Sequence, residues 1–357
     1  MRILFATYSM AFQNPGGGER VIIELKNALK TLGHHVDLYN PWCHRPADYD
    51  VIHYFSTIER SMWATLKRLA PHRPLCVTPV LHLPSHIEGA FHLLKLYLSD
   101  SFLRQTGQNP GFISSFSVPN LFFPITEIEA GHLTKKFHVS PEKLALIPNG
   151  VSPHFINSNP ELFRKKFQLV GPFFLQVARF DPVKNHLKSI EAISRLRGHG
   201  VFIGSPDLGK ELYYQKCLEA ARKAEVADPT GNTKFTFLSA IPNEDPILAS
   251  AYAAASAVLV PSHFETFGIS ALEAALTGTP VVLSKNLMSR SLFKDFGIFV
   301  DPMNPKEIAD AAEKSARQGR LPQELCQKIL DQFSWKNIGK RLEQAYKHSI
   351  QLTTGGE

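Results

Sequence analysis

A chain of 357 residues with 44% hydrophobic and 20% charged side chains is long for one core and suits two domains. Its net charge of +7 and pI near 9.1 favour an anionic partner, whether a nucleotide, an anionic lipid headgroup or a membrane surface. No basic run, aromatic-interleaved RNA-binding pattern or helix-turn-helix signature accompanies that charge, which sets nucleic acid aside. Cys43, Cys76, Cys217 and Cys326 lack CxxC or Cys/His ligand spacing, so they read as free thiols of a reducing compartment, neither a zinc site nor a disulfide framework. No apolar run reaches the length of a membrane span: Phe91 to Leu103 is broken by Lys95 and Asp100.

In chain order, short apolar strands alternate with helical stretches. Arg2 to Ala6 reads as a first buried strand in preference to a signal peptide. Helix Glu19 to Leu32, strands His35 to Tyr39 and Val51 to Tyr54, helix Trp63 to Leu69 and strand Leu75 to Leu81 follow, the order of a doubly wound α/β domain. Residues 86–116 are apolar and basic, an amphipathic segment that either buries against the first domain or touches a membrane surface. Asn149-Gly150-Val151 is a tight-turn sequence, and the turn-rich stretch after it reads as a hinge. The alternation then repeats. Phe173 to Ala178, Val201 to Gly204, Phe235 to Leu238, Val258 to Pro261 and Val281 to Leu283 are strands; Lys188 to Leu196, Tyr213 to Glu225, Asp245 to Ala254 and Ile269 to Leu276 are helices. Phe333-Ser-Trp335 opens a last helix with Ser334 as N-cap and an Ile338, Leu342, Ala345, Tyr346 stripe, and 353–357 is a frayed tail. The expected boundaries are an N-terminal domain 1–155, a hinge 156–171, a second domain 172–335 and a terminal helix 336–357.

Five groups of residues carry chemistry. In Pro261-Ser-His-Phe-Glu265-Thr-Phe267-Gly268-Ile269, a buried strand ends and a helix begins near Phe267. The free N–H groups around Phe267, Gly268 and Ile269, with the helix dipole, make an anion site suited to phosphate. Glu265 precedes that helix and Glu273 sits within it, so the pair can hold different ends of one elongated, hydroxyl-rich ligand. Arg179 and Lys184, five apart on a strand-ending loop, are placed to meet an anion that gains charge as it departs. Gly16, Gly17 and Gly18 open a helix after the first strand, where backbone can approach a phosphate or sugar; they do not form G-x-G-x-x-G. Gly204 ends a strand and admits close backbone approach. His82, after the fourth strand, and His53, its runner-up, lie near strand ends, although a lone histidine is more often structural. No Asp-x-Asp metal motif is present.

The motif from Pro261 through Glu273, closed by Gly278-Thr-Pro280-Val-Val, resembles the donor site of family 4 glycosyltransferases, and Arg179-x4-Lys184 and Asn149-Gly150-Val151 are similar to further family signatures. The resemblance runs along most of the chain. It implies a GT-B fold: two Rossmann-like domains facing across a cleft, the terminal helix crossing back to the first. It also implies retaining, metal-independent transfer of a hexose-type sugar from a nucleoside diphosphate, UDP or GDP, to a glycan or lipid-linked acceptor, with no other cofactor. Arg179 and Lys184 would then clamp the diphosphate, Glu265 hold the sugar, Glu273 the ribose, and His82 lie near the sugar, with Gly204 and residues 238–241 near the nucleotide. A cytoplasmic enzyme of cell-surface glycan or glycolipid synthesis, with peripheral contact at the inner membrane face, is the expectation. A nucleotide-sugar epimerase and a non-catalytic nucleotide-sugar-binding protein are the alternatives. The chain departs from the family at 284–294, where a Gly-rich turn and a Pro-Glu pair usually border the donor.

Overall fold

The computed structural model describes residues 1–13, 15–81 and 113–354. The chain divides into two compact units, Met1–Gly150 with Trp335–Glu357, and Val151–Ser334. In the first, β1 (Arg2–Ala6), β2 (His35–Leu38), β3 (Val51–Phe55), β4 (Leu75–Thr78) and β5 (Leu121–Phe122) form a parallel sheet in the order β2-β1-β3-β4-β5. Helices α1 (Gly17–Thr31), α2 (Ser61–Leu69) and α3 (Glu127–Phe137) alternate with these strands. Every residue of β3 and β4 is buried, as a parallel sheet covered on both faces requires. Trp63 of α2 sits edge-on to Tyr54, Phe116 and Phe122 at the centre of that core.

The second unit has a six-stranded parallel sheet, β11-β10-β9-β6-β7-β8. Its strands are β6 (Phe173–Val177), β7 (His199–Ile203), β8 (Lys234–Leu238), β9 (Ala257–Val260), β10 (Val281–Ser284) and β11 (Gly297–Val300). Between and around them run α4 (Glu161–Phe167), α5 (His186–Arg195), α6 (Glu211–Ala227), α7 (Pro246–Ala254), α8 (Ile269–Leu276), α9 (Pro305–Gln318) and α10 (Gln323–Phe333). The order turns back between β9 and β6, the switch point beside which doubly wound sheets bind ligands at their carboxyl ends.

The last helix, α11 (Trp335–Thr354), belongs to the first unit and packs along α1, where a Cβ on Gly339 would lie 3.1 Å from Ala28 Cβ. Ile338, Leu342 and Tyr346 are fully buried. Residues 156–171, expected as a hinge, instead hold α4. Phe163 of that helix is buried against Phe173, and its N–H donates to Ser250 Oγ at 2.8 Å, so charge and turn residues there cover one apolar anchor. The chain leaves the first unit at Gly150 and re-enters it at Trp335. Val151 and Ser334, the bounding residues of the second unit, pair in a parallel bridge, with Val151 N–H donating to Phe333 O at 2.7 Å. Among the described residues no helix is long and apolar enough to cross a membrane.

Candidate functional site

Most of the sequence-expected residues meet at the carboxyl ends of β6, β7 and β9 in the second unit. The loop after β6 is held from below and from the side. Phe180 is fully buried and stacks on His186 at 4.2 Å, and Asp181 Oδ1 accepts from Val183 N–H at 2.7 Å to start a turn of 3-10 helix at Pro182–Lys184. Gln176 Nε2 donates to Lys184 O at 2.8 Å. Asn185 follows with φ of 60°, a left-handed conformation that asparagine tolerates better than most residues. Its Nδ2 donates to Pro261 O at 2.9 Å and Pro302 O at 2.7 Å, which ties the loops after β6, β9 and β11 together.

Lys184 Nζ reaches Glu265 Oε2 at 2.6 Å, so residues 81 apart in sequence form one ion pair, with both side chains more than two-thirds buried. Arg179 is half exposed and pairs with Asp207 at 2.9 Å. Gly204 has a packing reason of its own. A Cβ there would lie 2.0 Å from Ala178 O, so the loops after β6 and β7 touch backbone to backbone.

The helix expected to begin near Phe267 begins at Ile269. Gly268 caps it with φ of 77°, and the first intrahelical bonds run from Ala271 and Leu272 N–H to Gly268 O. The N–H groups of Ile269 and Ser270 therefore lead the helix, whereas Phe267 is core, 1% exposed and near Phe333. Glu273, one turn in, is 2% exposed; its Oε2 accepts from Tyr252 Oη at 2.8 Å and its Oε1 from Asn243 Nδ2 at 2.9 Å.

The unusual segment after β10 is a shelf. Asn286 Nδ2 donates to His263 O at 3.0 Å, Met288 N–H to Glu265 O at 2.9 Å and Ser289 Oγ to Phe267 O at 2.6 Å. Alternate carbonyls 263, 265 and 267 are thus each held from one side. Leu287 packs under Gly268, and Ser289 is 1% exposed.

The other expected residues lie elsewhere. Gly16, Gly17 and Gly18 are in the first unit, where Gly16 caps α1, its N–H donates to Glu19 Oε2 at 2.7 Å, and Glu19 Oε1 accepts from Tyr8 Oη at 2.5 Å. Space around Gly17 and Gly18 is open. His82 lies outside the described residues. His53, its runner-up, is fully buried: Nδ1 meets Tyr346 Oη at 2.5 Å, Nε2 meets Thr78 Oγ1 at 2.8 Å, and Phe55 stacks on the ring at 4.0 Å. Burial holds its pKa well below 6.5, and it is a neutral structural residue. Asn185, Gln176, Asp207, Asn243, Tyr252 and Ser289 were not singled out in the sequence. Asn185 adjoins Lys184 in the motif, but its reach to Pro261 and Pro302 exists only once the sheet has formed.

Comparison with known proteins places this arrangement. Anabaena HepE, solved in complex with UDP, superposes over 98% of this chain and 100% of its own with a TM-score of 0.73 at 18% identity. Sucrose-phosphate synthase from Thermosynechococcus elongatus does so over 98% and 99% with a TM-score of 0.75 at 17% identity. These likenesses define the fold as GT-B. Residues 159–329 match the model of the glycosyl transferases group 1. A D-inositol 3-phosphate glycosyltransferase of Segniliparus rotundus is 28% identical over 242 residues, 63% of this chain and 51% of that protein. The chain spans about half the length of the curated relatives it matches first.

Proposed function

We propose that the protein is a retaining glycosyltransferase that moves a hexose-type sugar from a nucleoside diphosphate, UDP or GDP, to an acceptor hydroxyl on a glycan or lipid-linked molecule. The observation that carries this reading is the Lys184–Glu265 pair at the carboxyl ends of β6 and β9, beside the start of α8. An ammonium has three donors, so Lys184 can keep Glu265 and still bind a phosphate oxygen. Glu265 then lies one ion pair away from the diphosphate, where the transferred sugar must be.

In the reaction the bond from the anomeric carbon to the β-phosphate oxygen breaks and negative charge collects on the diphosphate. Arg179, Lys184 and the leading N–H groups of α8 stabilise that charge as it grows. The acceptor oxygen bonds to the anomeric carbon on the same face, and its proton passes to the leaving phosphate oxygen, so no protein base is required. Arg179 leaves Asp207 for phosphate at little cost, because a half-exposed ion pair contributes less than about 1 kcal/mol. Glu273 holds the ribose. The protein works in the cytoplasm, at the inner face of the membrane when the acceptor is lipid-linked, in the synthesis of cell-surface glycan or glycolipid.

Incubation of the full chain with UDP- and GDP-sugars, scored for transfer and for slow donor hydrolysis, tests the reading. Lys184→Ala and Arg179→Ala should each lower turnover by roughly 100-fold or more, in line with the loss of a group that meets developing charge. Transfer at the original rate in either variant would remove that residue from the mechanism. Nucleotide binding with neither transfer nor hydrolysis would leave a binding protein.

A further inference from the structure

Lys184 is tied down at its own carbonyl and at both neighbours. Val183 O accepts from His263 N–H at 2.8 Å, Lys184 O accepts from Gln176 Nε2 at 2.8 Å, and Asn185 Nδ2 donates to Pro261 O and Pro302 O. Two of these three ties run to the loop that carries Glu265, so the Lys184–Glu265 spacing of 2.6 Å is set by backbone as well as by mutual attraction. Only the tie at Asn185 also reaches the loop after β11.

Position 185 makes two demands at once. Its backbone, at φ 60° and ψ 39°, is left-handed where the 3-10 turn hands over to α5, and its carbonyl accepts the first helical bonds from Lys188 and Ser189 N–H. Its side chain, 3% exposed, must donate twice to carbonyl oxygens, which uses both hydrogens of one amide nitrogen and fixes how the amide is turned. Glycine, asparagine and aspartate are the residues that take this backbone conformation most readily. Glycine has nothing to donate, ionised aspartate only accepts, and asparagine alone meets both demands.

We propose that Asn185 is a positioning residue for the transfer reaction: it holds the root of Lys184 against the Glu265 loop, and so sets the spacing at which ammonium and carboxylate meet the departing diphosphate and the sugar. This rests on the proposed roles of Lys184 and Glu265. A lysine ammonium rides on a flexible four-carbon stem, so its placement depends on how firmly the stem is rooted. Charge that grows on the diphosphate feels a misplaced cation more than the bound ground state does, where Arg179 and the leading N–H groups of α8 share the phosphates. Asn185 spends both hydrogens on carbonyls and leaves the ligand to the other groups.

Hydrolysis of UDP-glucose and GDP-glucose by the full chain gives kcat and KM, and calorimetry gives UDP and GDP affinity, all below the thermal midpoint of each variant. Asn185→Gly, which keeps the left-handed backbone and drops both ties, should lower kcat about tenfold or more with nucleotide affinity within about threefold. Asn185→Asp turns an acceptor toward two carbonyls and should lose at least as much. In a Lys184→Ala background Asn185→Gly should slow the reaction little further, because the group it positions is gone. A merely structural role would lower the midpoint of Asn185→Gly and leave its kcat at that of the unaltered protein, which overturns the proposal. A full further loss in the Lys184→Ala background, or affinity falling as far as kcat, overturns it too. Lys184→Ala at the original rate would instead remove the reading on which the inference rests, and nucleotide binding with no hydrolysis by the unaltered protein would overturn the proposed function along with it.

Discussion

Two buried ionisable side chains outside the donor contacts have opposite effects on stability. His186 supports the Arg179–Lys184 loop from beneath, and burial draws its pKa down to about 3 from 6.5. Between those values the unfolded chain binds more protons than the native one, so stability falls as pH falls, by up to about 1.4 kcal/mol per pH unit. Glu129 opens α3 in the first unit, where its carboxylate accepts from Leu81 N–H at 2.6 Å and Ile125 N–H at 2.7 Å. Burial lifts its pKa to about 7 from 4.5, so through that window the native state binds more protons and stability falls as pH rises. His186→Phe should flatten the acid side of a stability–pH curve, and Glu129→Gln the neutral side. Trp42, Trp63 and Trp335 all lie in the first unit, so tryptophan fluorescence during urea unfolding isolates the Glu129 effect. Curves parallel to that of the unaltered protein would show that neither group titrates as argued.

At the scale of elements, the buried parallel strands were legible because they are continuous apolar runs closed by turn residues. Phe173 to Ala178 loses one residue to become β6, and Val258 to Pro261 moves back by one to become β9. β5 was not legible, since two residues, Leu121 and Phe122, carry no period. The site was legible where charge stands at a strand end, as with Lys184 and Glu265. It was illegible where neutral amides and hydroxyls fasten one loop to another, because such residues suit any turn. The 284–294 segment shows the difference: its sequence looks like an altered recognition loop, while its structure is the backing of the Glu265 loop. Ser289→Ala would leave Phe267 O without its buried donor, at a cost of about 1–3 kcal/mol. Turnover should fall roughly tenfold or more with less change in donor affinity, since a small displacement of Glu265 harms orientation before it harms binding. Ser289→Thr should recover part of it. Equal loss of affinity and turnover in the alanine variant would place Ser289 in contact with the donor instead.

At the scale of the whole molecule, the first unit is made from both ends of the chain. α11 supplies Ile338, Leu342 and Tyr346 to a core otherwise built from residues before 151, and the Tyr346 hydroxyl satisfies His53 where no water reaches. Tyr346→Phe leaves that ring nitrogen unpaired and should cost about 1–3 kcal/mol, read as an earlier midpoint of the tryptophan-monitored transition. An unchanged midpoint would mean the pair contributes nothing net. A chain ending at Ser334 would expose the apolar side of α1 and should aggregate.

The return of α11 also sets an order of events during synthesis. Residues 1–150 leave the ribosome well before 335–354, so the helix that closes their core is translated only after the whole of 151–334. The second unit has all of its strands and helices within one continuous stretch and can complete itself on the way. The nascent first unit must therefore wait while the 184 residues of 151–334 are made, with His53 Nδ1 unpaired and one side of α1 uncovered, so the unit begun earlier is the one completed later.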